Sequence, residues 1–266
     1  MIEHMSFLNP SLAQHLSKIH NRQNIITICS GRGSIGKTWV SIMLAEAFAA
    51  QGQKVLLFDG ELGGNNINNY LPIANHQEIS NVLIGKTPMN RIISHYGAGN
   101  FDVICGYSNN GSLSHADDAM RQLIRDDLLL LSTHYDKVII DAGSNIRKQA
   151  KIWVEVADII LALCVDEQDS LADICQLAKD LLENQCFEKL RVVINMAVSQ
   201  KHGQRTNDTL VGACQNYLGL KPLLGGIIRQ DMCVNMAMKK QSSIRFIFPA
   251  CKALEDIDRL VGEIIN

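Results

Sequence analysis

The segment "ITICSGRGSIGKTWV", residues 26–40, constrains the fold more than any other part of the chain. Gly31 to Thr38 fit the spacing GxxxxGK[ST], directly after an apolar run and directly before a helical pattern. In such a loop Gly31, Gly33 and Gly36 permit sharp turns, so the backbone N–H groups along Ser34 and Ile35 converge on one anion. The helix that follows brings the positive end of its dipole to the same point. Lys37 then stands where it neutralises the β- and γ-phosphates of a nucleotide, and the Thr38 hydroxyl where it ligates Mg²⁺. A loop of this kind joins a strand to a helix, so it commits the start of the chain to a β–α unit.

The remaining sequence extends that unit. Apolar runs at 25–30, 54–59, 102–105, 137–142, 158–165, 191–196 and 223–228 are continuous in Val, Ile and Leu, as strands covered on both faces must be. Helical patterns lie between them at 37–51 (closed by Gly52), 114–134, 170–184 and 206–218. This alternation predicts an α/β, doubly wound, mostly parallel sheet with helices on both faces. With 266 residues, of which 47% are hydrophobic, the expectation is a single domain over 23–266 preceded by an amphipathic arm, 1–22. In the arm Asn9 is suited to cap a helix that has Pro10 in its first turn, with Leu12, Leu16 and Ile19 on one stripe. A second stripe, Leu254, Ile257, Leu260, Val261 and Ile264, follows Pro249. It carries Glu255, Asp256, Asp258 and Glu263 against Lys252 and Arg259, the wrong sign for an anionic membrane surface, so it is expected to dock on the core.

Composition narrows the function classes. A formal net charge of −2 builds in no general attraction to nucleic acid or anionic lipid. Eight cysteines are scattered singly, without a CxxC pair or a His/Cys cluster at metal spacing, which suits reduced thiols in a cytosolic protein. Residues 1–22 do not have the pattern of a secretory signal, and the apolar run 159–165 is too short to span a bilayer. A cytoplasmic protein is expected, with recruitment to a cell pole or the inner membrane face left open.

Two carboxylates end predicted strands. Asp59 closes "KVLLFD", and Asp141 closes "KVIID" before Ala142 and Gly143. Ligands of open parallel sheets bind outside the carboxyl ends of the strands, so both acids are candidate Mg²⁺ partners alongside Thr38. An acid at this position also serves as a cap for the turn that follows, and for Asp59 both readings stand.

With these residues in place, the chain resembles the MinD/ParA-type ATPases with a deviant Walker A motif, and most of all their MinD-like subgroup that regulates flagellar number and placement. The likeness runs from Asn24 to Ile265. It is carried by "GRGSIGKTWVSIMLAEAFAAQGQKVLLFDGELGGNN", "YDKVIIDAGSNI", "VVINMAVSQKHG" and "AMKKQSSIRFIFPACKAL". The resemblance implies ATP and ADP as ligands with Mg²⁺, and a homodimer closed face to face over two ATP molecules. It places Arg32 where relatives carry the lysine that reaches the partner's ATP. Arginine keeps the charge there but not the shape of an ammonium. Glu61 stands where relatives use an aspartate to orient the attacking water, and it is one methylene longer. Gly143 belongs to the same phosphate-side region. Asn195 matches the asparagine that reads the adenine edge, although a strand-end asparagine also satisfies backbone groups. Arg229, in "GIIRQD", replaces a proline of the adenine-side loop. The partner-stimulating signature of the flagellar subgroup is not reproduced in "NPSLAQHL".

Three functions follow as expectations. The first is an ATP-dependent dimerisation switch that acts on protein partners of a flagellar or other polar assembly. The second is a nucleotide-binding interaction module with little turnover, motivated by Arg32 and Glu61. The third is a partitioning ATPase on nonspecific DNA, for which Lys239, Lys240 and Arg245 form the one local basic group.

Overall fold

The computed structural model describes residues 24–61, 67–73, 79–106, 118–143 and 151–265; the arm expected at 1–22 lies outside them. Strands β1 (Ile25–Cys29), β2 (Val55–Asp59), β3 (Ser94–Tyr96), β4 (Phe101–Ile104), β5 (Lys137–Asp141), β6 (Ile159–Cys164), β7 (Leu190–Ala197) and β8 (Leu223–Arg229) form one sheet. Their spatial order is β3-β4-β2-β5-β1-β6-β7-β8. All neighbours are parallel except β3 and β4, an antiparallel pair at one edge. The doubly wound, mostly parallel arrangement expected from the sequence is therefore the observed one, with β3 as an addition.

Strand side chains alternate between two cores, as the pleat requires. Leu56 and Phe58 of β2, Val138 and Ile140 of β5, and Ile160 and Ala162 of β6 face one side. There they meet α3 (Asp118–Ser132), α4 (Lys151–Val156), α5 (Gln168–Glu183) and α6 (Gln200–Leu218). Ile26 and Ile28 of β1, Leu57 of β2, Ile139 of β5 and Leu161 of β6 face the other side. That side is covered by α1 (Lys37–Ala50), by α7 (Met232–Lys239) and α8 (Ile244–Ile247), and by α9 (Lys252–Ile265). A short helix, α2 (Ser80–Leu83), packs Val82 and Leu83 into the first core.

Helix α1 is buried at every residue from Trp39 to Ala49, which explains why its sequence is apolar all round rather than striped. It lies between the sheet and α9, whose Leu254, Ile257, Leu260 and Val261 are buried in the same core, so the C-terminal stripe docks as expected. No helix among the described residues is long and apolar enough to cross a membrane. The topology leaves the C-terminal ends of the central strands β2, β5, β1 and β6 on one edge, where the loop after β1 stands.

Candidate nucleotide site

The loop between β1 and α1 is arched by two residues in the left-handed region, Ser34 (φ 61°) and Gly36 (φ 88°). A side chain at Gly36 would be strained and would also meet the Asn195 amide nitrogen at 2.7 Å. At the other end of the loop, a Cβ on Gly31 would fall 2.1 Å from the Asp173 Cβ of α5. Helix α1 begins at Lys37 with no side-chain cap and no acid in its first turn. Ser199 and Asp231, by contrast, cap α6 and α7. The first N–H groups of α1 are therefore available to an anion.

Lys37 is buried, and its ammonium donates to the Arg32 carbonyl at 3.3 Å. Burial lowers its pKa, while Asp141, Glu61 and Cys29 pull it back up. The Arg32 carbonyl also accepts from the Ser30 hydroxyl at 2.6 Å, so the loop's crown is held from both sides. The Arg32 guanidinium turns away from the loop to an ion pair with Glu167, at 2.5 Å, just ahead of α5.

Asp59 and Asp141 are register partners on adjacent parallel strands, which sets both carboxylates side by side at the sheet's carboxyl edge. Each is 1% exposed. Their surroundings differ. The Asp59 oxygens accept from the N–H groups of Glu61 (3.2 Å) and Ile67 (3.5 Å), so this acid braces the loop after β2. Burial and then Asp141 raise the Asp59 pKa well above its ordinary value. Neither oxygen of Asp141 meets a donor in full hydrogen-bond geometry among the described residues, although the Thr38 hydroxyl and the Gly143 N–H approach the carboxylate. Burial pushes Asp141 up to about 6, with the Thr38 hydroxyl and Lys37 opposing the rise. A buried carboxylate short of donors is costly unless a cation or a proton satisfies it. A hard divalent ion with oxygen ligands fits the set of Asp141, Thr38 and Asp59. Glu61 is half-buried and lies over Gly143, where the missing side chain leaves room for it: a Cβ there would be 3.2 Å from three Glu61 carbons.

On the other flank of the loop, a cleft of about 280 Å³ is lined by Ser34, Gly36, Trp39, Tyr70, Asn195 and Arg229, among others. The Asn195 amide donates to the Ile35 carbonyl at 2.7 Å, which ties β7 to the phosphate loop and uses one of its two donors. Arg229 is committed elsewhere. Its Nε donates to Asp256 at 2.7 Å, and Nη2 reaches Asp256, Glu255 and the Lys252 carbonyl, so its charge is spent on α9. Trp39 and Tyr70 add an aromatic wall that the motifs do not announce. The one signal in the sequence is an indole immediately after Thr38, at the start of the helix that the loop opens.

The sequence region 26–244 matches the family described as the CobQ/CobB/MinD/ParA nucleotide binding domain. The chain belongs to this family. Among its relatives, antiactivator FleN of Pseudomonas aeruginosa is 27% identical over 229 residues, covering 86% of this chain and 81% of that protein. The flagellum site-determining protein YlxH of Helicobacter pylori is 23% identical over 244 residues, covering 91% and 81%. In fold, the chain is similar to the septum site-determining protein MinD of Pyrococcus horikoshii, solved with Mg-ADP. The TM-score is 0.76 at 21% identity, covering 91% of this chain and 95% of that one. Membership of the MinD/ParA family agrees with the deviant phosphate loop.

Proposed function

We propose that the chain is a Mg²⁺-dependent ATPase that works as a dimerisation switch, cytoplasmic or recruited to a pole, regulating the number or placement of a flagellum or other polar assembly. The observation that carries this reading is Asp141. Its carboxylate is buried, is incompletely satisfied by donors among the described residues, and stands beside Lys37 and Thr38 at the mouth of an uncapped helix. Such a carboxylate is best accounted for by a cation that arrives with a phosphate chain. The name of the flagellum site-determining protein YlxH supports the flagellar assignment, and the Mg-ADP in the similar MinD fold supports the ligand.

In this reading the N–H groups of the loop and α1 cradle the phosphates, and Lys37 exchanges the Arg32 carbonyl for phosphate oxygen. Thr38, Asp141 and Asp59 are the residues that would hold Mg²⁺, which when bound would neutralise charge at the β- and γ-phosphates. Glu61, positioned over Gly143, orients the attacking water. Asn195 presents its remaining amide capacity to the base. Arg32 leaves Glu167 and reaches the partner's phosphate when two copies close.

A second reading, a binding module with little turnover, draws on the Arg32–Glu167 pair and on the length of Glu61. A DNA track finds less support, because Arg245 of the local basic group is paired with Asp258. Light scattering with ADP and with a non-hydrolysed ATP analogue tests the main reading. A dimer is expected with the analogue alone, and a monomer in both states at high concentration rejects it. Phosphate release no greater than that of Lys37→Ala, with dimerisation retained, selects the second reading.

A further inference from the structure

The eight cysteines show no metal-binding spacing along the chain, yet the fold assembles one set of ligands. Asp231, Cys233 and Cys251 bring a carboxylate oxygen and two sulfurs within 4.8 Å of one another, the single such group of three among the described residues. Asp231 and Cys233 lie at the start of α7, and Cys251 immediately precedes α9. Capping α7 needs only the Asp231 carboxylate, whose Oδ1 accepts the Cys233 N–H at 2.9 Å. The thiols are not required for that cap. The other oxygen, Oδ2, accepts the Lys252 N–H at 2.9 Å, so the carboxylate is oriented from both helix starts before any ligand arrives. Hydrogen bonds of this kind, one step behind the ligand atoms, are what fix a ligating carboxylate in a metal site. Cys251 is 3% exposed while Asp231 and Cys233 are half-buried, so the group is walled on one side and open to water on the other.

We propose that Asp231, Cys233 and Cys251 form a binding site for a thiophilic divalent cation of the Zn²⁺ type, with water as the fourth ligand. Two sulfurs and one oxygen select a soft or borderline ion and set this site apart from the oxygen-only Mg²⁺ position at Asp141. On binding, each thiol releases its proton to solvent as its sulfur–metal bond forms. One Zn²⁺ therefore displaces two protons, and no electrons are exchanged. Asp231 also lines the cleft beside the phosphate loop, and Arg229 two residues earlier is held by Asp256 of α9. The ion thus reinforces the attachment of the 229–233 segment to the start of α9, behind the wall of the nucleotide cleft.

Anaerobic titration of the full, reduced, metal-free chain with Co²⁺ tests this. One ion per chain is expected, with a near-ultraviolet thiolate-to-cobalt band and the visible bands of tetrahedral Co²⁺, all removed by Zn²⁺. The Cys233→Ser and Cys251→Ser variants should each lose the thiolate band, whereas a Cys175→Ser/Cys214→Ser double variant should keep it. Should the serine variants misfold, the unmutated chain still decides: Zn²⁺ is expected to protect Cys233 and Cys251 from alkylation, read by mass spectrometry. Absence of a thiolate band at excess Co²⁺, survival of the band without both cysteines, or unprotected alkylation overturns the site. ATP titration of the same metal-free sample reports the nucleotide pocket separately, so either reading can fail alone.

Discussion

At Asp141, the proposed role in cation binding and the stability of the fold oppose each other. Its folded pKa is raised from 3.8 to about 6 by burial, so the folded state holds the proton more tightly than the unfolded chain. The stabilisation that protonation provides is full below about pH 4 and is lost as pH rises through 6. Above that, the ionised carboxylate costs about 3 kcal/mol, at ~1.4 kcal/mol for each pH unit between the two values. Asp141→Asn removes the charge, so without nucleotide the variant is expected to melt higher than the parent at pH 8, with the difference vanishing near pH 4. Adding Mg²⁺ and nucleotide should reverse the ranking, because the parent alone has the anion the cation needs. Calorimetric melts at both pH values read the two signs. Lys37→Ala removes the proposed phosphate contact instead. Loss of a charge-assisted hydrogen bond of about 1.5–3 kcal/mol weakens ATP binding roughly 10- to 100-fold in isothermal titration.

Among the elements, α4 shows how a distant helix sets the geometry of the site. The buried Trp153 indole donates to the Gly60 carbonyl at 3.0 Å, and the Thr27 hydroxyl of β1 donates to the Trp153 carbonyl at 2.9 Å. Gly60 lies between Asp59 and Glu61, so α4 fixes the segment that carries both acids. Trp153→Phe orphans the Gly60 carbonyl and is expected to cost about 1–3 kcal/mol, a drop of several degrees in Tm. The loosened Glu61 should lower kcat by about tenfold or more while nucleotide affinity changes little. Equal losses in kcat and affinity would assign Trp153 a purely packing role. None of this contact is legible in the sequence, and the reason is distance along the chain. The phosphate loop and strand-end acids are local patterns, written in consecutive residues. The partners of Arg32, Asn195 and Trp153 lie 135, 160 and 93 residues away. Strand β3 escapes the sequence pattern for a different reason. Its three residues, "SHY", hold a single apolar side chain and are fastened to β4 partly by the His95–Asp102 pair. Apolar periodicity places the start of α6 at 206 rather than 200 because its opening turns are largely polar. Ser199, accepting from the His202 N–H, starts the helix without an apolar stripe.

For the whole molecule, the decisive charge is the one that faces outward. A face-to-face dimer of the kind proposed requires Arg32 to leave Glu167 in each copy, so two ion pairs break for every dimer formed. The two side chains are 40% and 59% exposed, and such a surface pair is worth about 0.2–1 kcal/mol. Breaking two therefore opposes association by about 0.4–2 kcal/mol, a factor of roughly 2 to 30. Glu167→Gln should tighten dimerisation with an ATP analogue by that factor at low ionic strength. The gain should shrink as salt screens the pair. Arg32→Ala removes the same restraint but also the proposed crossing charge, so it is expected to bind nucleotide as a monomer and fail to dimerise. Sedimentation over a range of concentrations separates these outcomes. If both variants dimerise with the parent's affinity, the charge at position 32 takes no part in closing the pair. Dimerisation by Arg32→Ala alone would instead make Arg32 a restraint and nothing more, with the crossing contact made by another group.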